Sequence, residues 1–488
     1  MLSTRVLACL ASAFALGGLT NCTSDSAQEP EEGEVAAATV LATTESPSAL
    51  KSTAAGKKLF SEAFANTNGR SCATCHVLDE STALRPENVQ ARLASNPNDP
   101  LFNRIDADDP EASVPTYEHL KKGLVRVVLP LPANMDVIDT QGNVITPPDR
   151  KIAVWRGVPS IQDVAITGPH FQLDGRESNL EDQAQAAITS HSEGGPVSRS
   201  QLRKVADFQR GEFTSPRARF VSDLLGFGVP LGQIPVPEDF MWLTPQELRG
   251  REVFKVACEA CHGGATLSRI SHPGVLELAA QFPVTKPDGN VLFTHVPGVG
   301  PVPAQGARAD VNIVNVAFSG FSYLGQIGQF PVLFNTDIEL PRYRFRFYTD
   351  GTRTQQVTDL PPNPVTASGH PYDPNPKLDE NGAPIVGPNL FPQWFSTDPG
   401  RAVITGNPLD FEAFDIPTLR GISRTAPYYH DNSVANLEVV VDIYSQFVLP
   451  FTTPLNLPPV HPPETPGGPP ESLSATEKQD LLKFLHRL

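Results

Sequence analysis

The chain has 488 residues, with 38 basic and 54 acidic side chains and a formal charge of −16. This length suits two or three domains, and the acidic balance argues against a nucleic-acid partner while suiting a basic redox protein. Of the six cysteines, four fall in two short motifs. The other two, Cys9 and Cys22, lie near the N-terminus, so no disulfide is expected in the mature domains.

Residues 1–22 read as an export signal. Arg5 precedes a short apolar run, Val6 to Leu19, which is too short for a membrane span. Leu19-Thr20-Asn21-Cys22 looks like a lipobox with Cys22 as the lipidated residue; ordinary cleavage nearby is the alternative. The expectation is a periplasmic protein whose only membrane attachment is a lipid anchor. Residues 23–50 follow as a disordered acidic tether, because the stretch from Thr23 to Ser48 is rich in Ala, Thr and Ser and has no Lys or Arg.

From Ala49 to Asn66 the pattern becomes helical, with Leu59, Phe60, Ala63 and Phe64 on one face. This helix leads to Cys72-Ala73-Thr74-Cys75-His76. The layout recurs: Thr244 caps a second helix, Pro245 takes its first position, Glu247 completes a capping box, and the helix leads to Cys258-Glu259-Ala260-Cys261-His262. C-x-x-C-H is the attachment pattern for c-type haem. Two thiols a helical turn apart add to the vinyl groups of one haem, and the adjoining His lies under the iron. A zinc knuckle needs four protein ligands per site, and each dithiol here has one neighbouring His. A redox dithiol needs a βαβ context, which is missing. The reading is two covalently bound c-type haems, held by Cys72, Cys75 and His76 and by Cys258, Cys261 and His262.

Between and beyond the motifs the signals vary. Val77 to Asp149 is mixed and proline-rich. Asn179 is a good N-cap for a helix from Leu180 to about His191. Gly263 to about Asp410 reads as loops with short hairpins, with turn signals at Pro287-Asp288-Gly289, Asp350-Gly351 and Glu380-Asn381-Gly382. Within it, Tyr343 to Phe347 alternates as a strand would. Asn436 caps a helix with Leu437, Val440, Val441 and Tyr444 on one face. Pro454 to Pro470 is a surface connection, and a last helix opens on Ser474 and Glu477 and buries Leu481, Leu482, Leu485 and Leu488.

Together these residues resemble the bacterial dihaem cytochrome c peroxidase family, which includes MauG-like enzymes. Besides the two haem motifs, Leu173-Asp174-Gly175-Arg176 with Leu180-Glu181-Asp182-Gln183-Ala184 looks like the family's W-D-G-R…L-x-x-Q-A. Pro417-Thr418-Leu419-Arg420 with Thr425-Ala426-Pro427-Tyr428-Tyr429-His430-Asp431 looks like P-T-L-R…T-A-P-Y-x-H-D. The resemblance implies a mainly α fold of two cytochrome c-like haem domains, 51–235 and 236–488, with a long loop and short-strand insertion at about 264–410 in the second.

It also implies roles. The N-terminal haem, on His76, has an open position for peroxide. Glu193 is the general acid/base in register there, with Gln183 beside it; as a bland alternative, Glu193 is a solvated loop carboxylate next to Gly194-Gly195. The C-terminal haem takes His262 and a second ligand, Met or Tyr in the family, which falls on Tyr444. Besides Met1 the chain has only Met135 and Met241, neither in the C-terminal part. As a bland alternative Tyr444 is a core residue. A phenolate ligand lowers the haem potential relative to Met. A calcium ion between the haems would use Thr425 and Pro427, although Gly157 replaces the family's asparagine. Leu173 replaces a tryptophan between the haems, and Trp155, Trp242 and Trp394 are out of register. Ala187 replaces a distal-pocket proline. His170 and His191 flank the motif and are read as surface or supporting residues rather than sixth ligands. The implied function is reduction of hydrogen peroxide with electrons from a small cytochrome or cupredoxin. Alternatives are MauG-like oxidation of side chains on a protein substrate, and a non-catalytic dihaem electron carrier.

Overall fold

The computed structural model describes residues 47–269, 293–296, 300–303, 313–315, 339–361, 395–449 and 471–488. The signal segment, the tether as far as Ser46, Trp394, the turn signals at Pro287 and Glu380 and the connection up to Pro470 lie outside them. Contacts group the chain into Met1–Ser52 and Thr53–Leu488. The first unit enters the description only as the opening of helix α1, Pro47–Ser61. No helix among the described residues is long and apolar enough to cross a membrane.

The fold is mixed rather than mainly α, because among the described residues four small antiparallel sheets accompany the helices. After α1 come α2 (Pro86–Ser95), β1 (Leu124–Pro130), β2 (Met135–Val137) and β3 (Lys151–Gly157). Helices α3 (Leu180–His191), α4 (Arg199–Arg210), α5 (Pro216–Gly226) and α6 (Pro245–Ala257) follow. Next are β4 (Phe293–Val296), β5 (Gly300–Pro303), β6 (Ile313–Asn315), β7 (Phe345–Tyr348), β8 (Gln356–Leu360) and β9 (Ala413–Asp415). Helices α7 (Leu437–Ile443) and α8 (Ala475–Leu485) close the chain.

The helix starts follow local chemistry. Asn179, Thr244, Asn436 and Ser474 each accept a hydrogen bond from the backbone N–H three residues on, which satisfies an otherwise orphaned donor. The capping boxes at Thr244/Glu247 and Ser474/Glu477 are both formed. Helix α1 stops at Ser61, short of Asn66, whose φ of 58° is left-handed. Ala63 is therefore exposed, whereas Phe60 is buried.

One packing device occurs twice. At Gly56 of α1 an added Cβ would lie 2.0 Å from the Lys204 carbonyl oxygen of α4, and at Gly250 of α6 it would lie 1.9 Å from that of Asp480 in α8. Only glycine permits these backbone approaches. One turn later Phe60 packs on Phe208 at 5.0 Å between ring centroids, and Phe254 packs on Phe484 at 5.4 Å. Each crossing fixes the helix that leads to a C-x-x-C-H motif. Gly250→Ala should destabilise the protein by about 1–3 kcal/mol through overpacking, read as a lowered denaturant midpoint; an unchanged midpoint would show that the crossing relaxes freely.

The sheets bring distant segments together. β1 pairs with β3, Leu124 opposite Gly157. β7 lies between β2 and β8, so part of the insertion joins a sheet begun in the N-terminal half. Phe345 and Phe347 alternate inward and are fully buried, as the period of two requires. β9 pairs with β6, and its Asp415 N–H donates to the Leu173 carbonyl at 2.8 Å.

Candidate haem-binding sites

The first motif opens as a single tight turn, Cys72–Thr74, which sets both thiols and His76 against one cavity. Burial pushes the thiols up to about 12 for Cys72 and about 11 for Cys75. A site this averse to thiolate suits uncharged thioethers. Burial also lowers His76 to about 4, so the ring is neutral at physiological pH. Its Nδ1 lies 3.1 Å from the Thr82 carbonyl oxygen. A carbonyl only accepts, so Nδ1 carries the proton and Nε2 keeps its lone pair for a metal.

Helix α3 lines the same cavity with Gln183, Ala187 and His191, spaced one turn apart. Burial lowers the pKa of His191. His170 is not among the cavity walls. Glu193 lies just past the helix end and is exposed, outside the lining residues. Asn68 pins this turn to the loop before Cys72: its N–H donates to Ser192 O at 2.9 Å, and its Nδ2 donates to Glu193 Oε2 at 3.1 Å. Glu193 follows directly on Ser192, which does line the cavity. Glu193 is held left-handed at φ 53°. For a residue with a side chain this conformation costs about 1–3 kcal/mol and clusters at functional sites.

The second motif repeats the histidine arrangement. His262 Nδ1 lies 3.1 Å from the carbonyl of Pro417, the first residue of the P-T-L-R stretch. Burial lowers His262 to about 4, and it raises Cys258 to about 12 and Cys261 to about 11. Tyr444 lies beside this motif: burial pushes its hydroxyl pKa up, and the nearby Cys261 and Cys258 add to the shift. It opens a π-helical turn, Tyr444–Val448, a distortion frequent at functional sites. Helices α3 and α7 share their start, an Asn cap followed by a buried Leu. Counted from each cap, the position of Tyr444 in the second site is that of Ala187 in the first.

Two groups of buried ion pairs accompany the sites. Arg156 binds Asp174 at 2.6 Å and Asp398 at 2.7 Å, and Arg176 shares Asp174 at 2.6 Å. Burial opposes the charge on Arg156, but Asp398 and Asp174 outweigh it and hold its pKa above the ordinary value. Arg420 binds Glu238 through two hydrogen bonds, at 2.7 and 2.6 Å. Asp174, Arg176 and Arg420 of the two sequence motifs therefore serve as scaffold. Leu173 lines the first cavity. Trp155 is buried and stacked on His119, and Trp242 is exposed. The Thr425 hydroxyl donates to Ile422 O. Among the described residues no cluster of three or more His, Cys, Asp or Glu side chains is arranged for a metal ion.

With this geometry in hand, comparison with known proteins is informative. Residues 51–215 match the model of the di-haem cytochrome c peroxidase family. A 50-residue stretch is 44% identical to the cytochrome c551 peroxidase of Nitrosomonas europaea, covering 10% of this chain and 15% of that one. Ninety-eight residues are 33% identical to the cytochrome-c peroxidase IdrP2 of Denitromonas iodatirespirans, covering 19% and 21%. The chain thus spans about a fifth or less of the curated relatives it matches. A solved MauG-like protein associated with microbial copper homeostasis aligns over 91% of this chain and 89% of its own, at 18% identity and a TM-score of 0.35. The chain is similar to di-haem cytochrome c peroxidases, as its motifs imply.

Proposed function

We propose that the chain is an exported dihaem peroxidase that reduces hydrogen peroxide to water, with electrons from a small cytochrome or cupredoxin. The observation that carries this reading is the inequality of two otherwise matched sites. Each has two half-buried cysteines and a neutral His whose Nδ1 faces a carbonyl, yet one has Ala187 where the other has Tyr444. Haem iron, when bound, supplies the redox centre and the place where a peroxide oxygen is held. In the first cavity Ala187 would leave room for peroxide, and Gln183 would offer an amide to orient it. Glu193 takes a proton from one peroxide oxygen and returns it to the leaving one. Peroxide takes up two electrons and two protons and leaves as two waters. His262 and Tyr444 would hold the second haem, which would store an electron.

The two haem-binding halves are 51–235 and 236–488. Export to the periplasm and anchoring through Cys22 rest on the reading of residues 1–22. Calcium at Thr425 and Pro427 belongs to the same reading and plays no part in the mechanism.

Steady-state peroxide consumption by the two-haem protein with a reduced small cytochrome tests the reading. Turnover supports it, and its absence with both haems loaded contradicts it. Tyr444 favours a second reading, MauG-like oxidation of a partner protein; peroxide would then be consumed only with that partner present. Tyr444→Phe should change the absorption and spin state of the C-terminal haem alone. A spectrum unchanged at both haems would return Tyr444 to the core.

A further inference from the structure

We propose that Phe414 and His430 form the packed bridge that carries electrons between the two haem sites, in place of the ring that Leu173 lacks. The inference rests on the dihaem reading above.

Arg156 and Gly157 at the end of β3 are walls of the first cavity. The Arg156 guanidinium lies 5.9 Å from the Phe414 ring centroid. Phe414 stacks on His430 with centroids 4.2 Å apart and planes 16° from parallel. The Gly157 N–H donates to the His430 carbonyl at 2.7 Å, a direct hydrogen bond from the cavity wall to the same residue. On the far side, the neighbouring Tyr429 is half-buried and packs against the same apolar cluster as Tyr444 and Cys258. Residues on this line therefore run from the first cavity to the second motif. The strand carrying Phe414 is also tied to the tryptophan-less position, since Asp415 N–H binds Leu173 O.

The physical argument is one of packing. Electron tunnelling decays more slowly across bonded or tightly packed atoms than across gaps. A close stack of two π-systems, buttressed by a hydrogen bond, leaves little gap, and it is held in place by the Arg156 ionic core. A purely structural role would also bury these rings, so the test must read electron movement without peroxide.

Haem content of the parent protein is measured first; one haem per chain overturns the dihaem reading and the bridge with it. The fully oxidised two-haem protein is then mixed rapidly with less than one equivalent of reductant, and redistribution between the haems is followed by absorption. Phe414→Leu keeps an apolar filler and removes the ring. It should slow redistribution several-fold, with haem content, spin states and both potentials unchanged, while Phe414→Tyr should keep the parent rate. Should Phe414→Leu lose haem, the pair His430→Leu and His430→Phe asks the same question from the other ring: the first should be slow and the second should keep the rate. A parent-like rate in either ring-deleted variant overturns the bridge.

Discussion

Replacing Glu193 with Gln should lower peroxide turnover by about 10²–10⁴-fold, the range a positioned acid/base group supplies, with both haems still attached. Gln is nearly isosteric, and its amide oxygen can still accept from Asn68 Nδ2, the contact that holds Glu193 Oε2 at 3.1 Å. The left-handed backbone at Glu193 is equally accessible to Gln, so the turn tied to Asn68 should persist. What the variant loses is the ability to take a proton and give it back. A group that only decorates the surface would leave turnover within a factor of two or so of the parent, as most exposed substitutions away from special features do. Haem content and the spectrum of the resting protein serve as the folding control.

Replacing Arg156 with Met should cost about 3–5 kcal/mol of stability, because it leaves buried carboxylates without their principal counter-charge. Arg156 is 3% exposed, and it binds Asp398 through Nε and Nη2 at 2.7 and 3.0 Å and Asp174 through Nη1 at 2.6 Å. Asp174 keeps Arg176, and Asp398 keeps the N–H of Gly400 at 2.8 Å. Adding Asp398→Asn to Arg156→Met should recover part of the deficit, which marks the charge rather than the volume as the cause. Denaturant unfolding of the haem-loaded protein reads both. A loss below about 1 kcal/mol for the single variant, the scale of an exposed ion pair, would mean that water reaches this core.

The parts of the fold that the sequence makes legible are those set by near neighbours. The caps at Asn179, Thr244, Asn436 and Ser474 depend on residues three apart, and all four form. The C-x-x-C-H spacing likewise specifies a turn and a ligand together. Less legible is whatever depends on distant partners. Leu124–Pro130 pairs with Lys151–Gly157 across a proline-rich stretch that gives no hairpin signal. Arg156 meets Asp398 and Phe414 meets His430 only through the folded chain, and no local pattern announces either contact. The expected strand at Tyr343–Phe347 forms as Phe345–Tyr348, yet its pairing with β2 is invisible in the sequence.

The candidate site divides in the same way. Register against the family motifs placed Gln183 and Tyr444, and the structure sets one in the first cavity and the other beside the second dithiol. Register also picked out Glu193 but said nothing of its exposure, which depends on how the turn after α3 meets Asn68. His191, read from sequence as a supporting residue, lines the cavity because it falls two turns after Gln183 on one helix face. That spacing was visible in the sequence and signals a shared wall.

The central claim is that the first iron has an open position and the second does not. Low-temperature electron paramagnetic resonance of the oxidised two-haem protein tests it most directly. The account predicts one high-spin and one low-spin ferric haem, with Tyr444→Phe altering only the low-spin signal. Two low-spin haems in every redox state would contradict it.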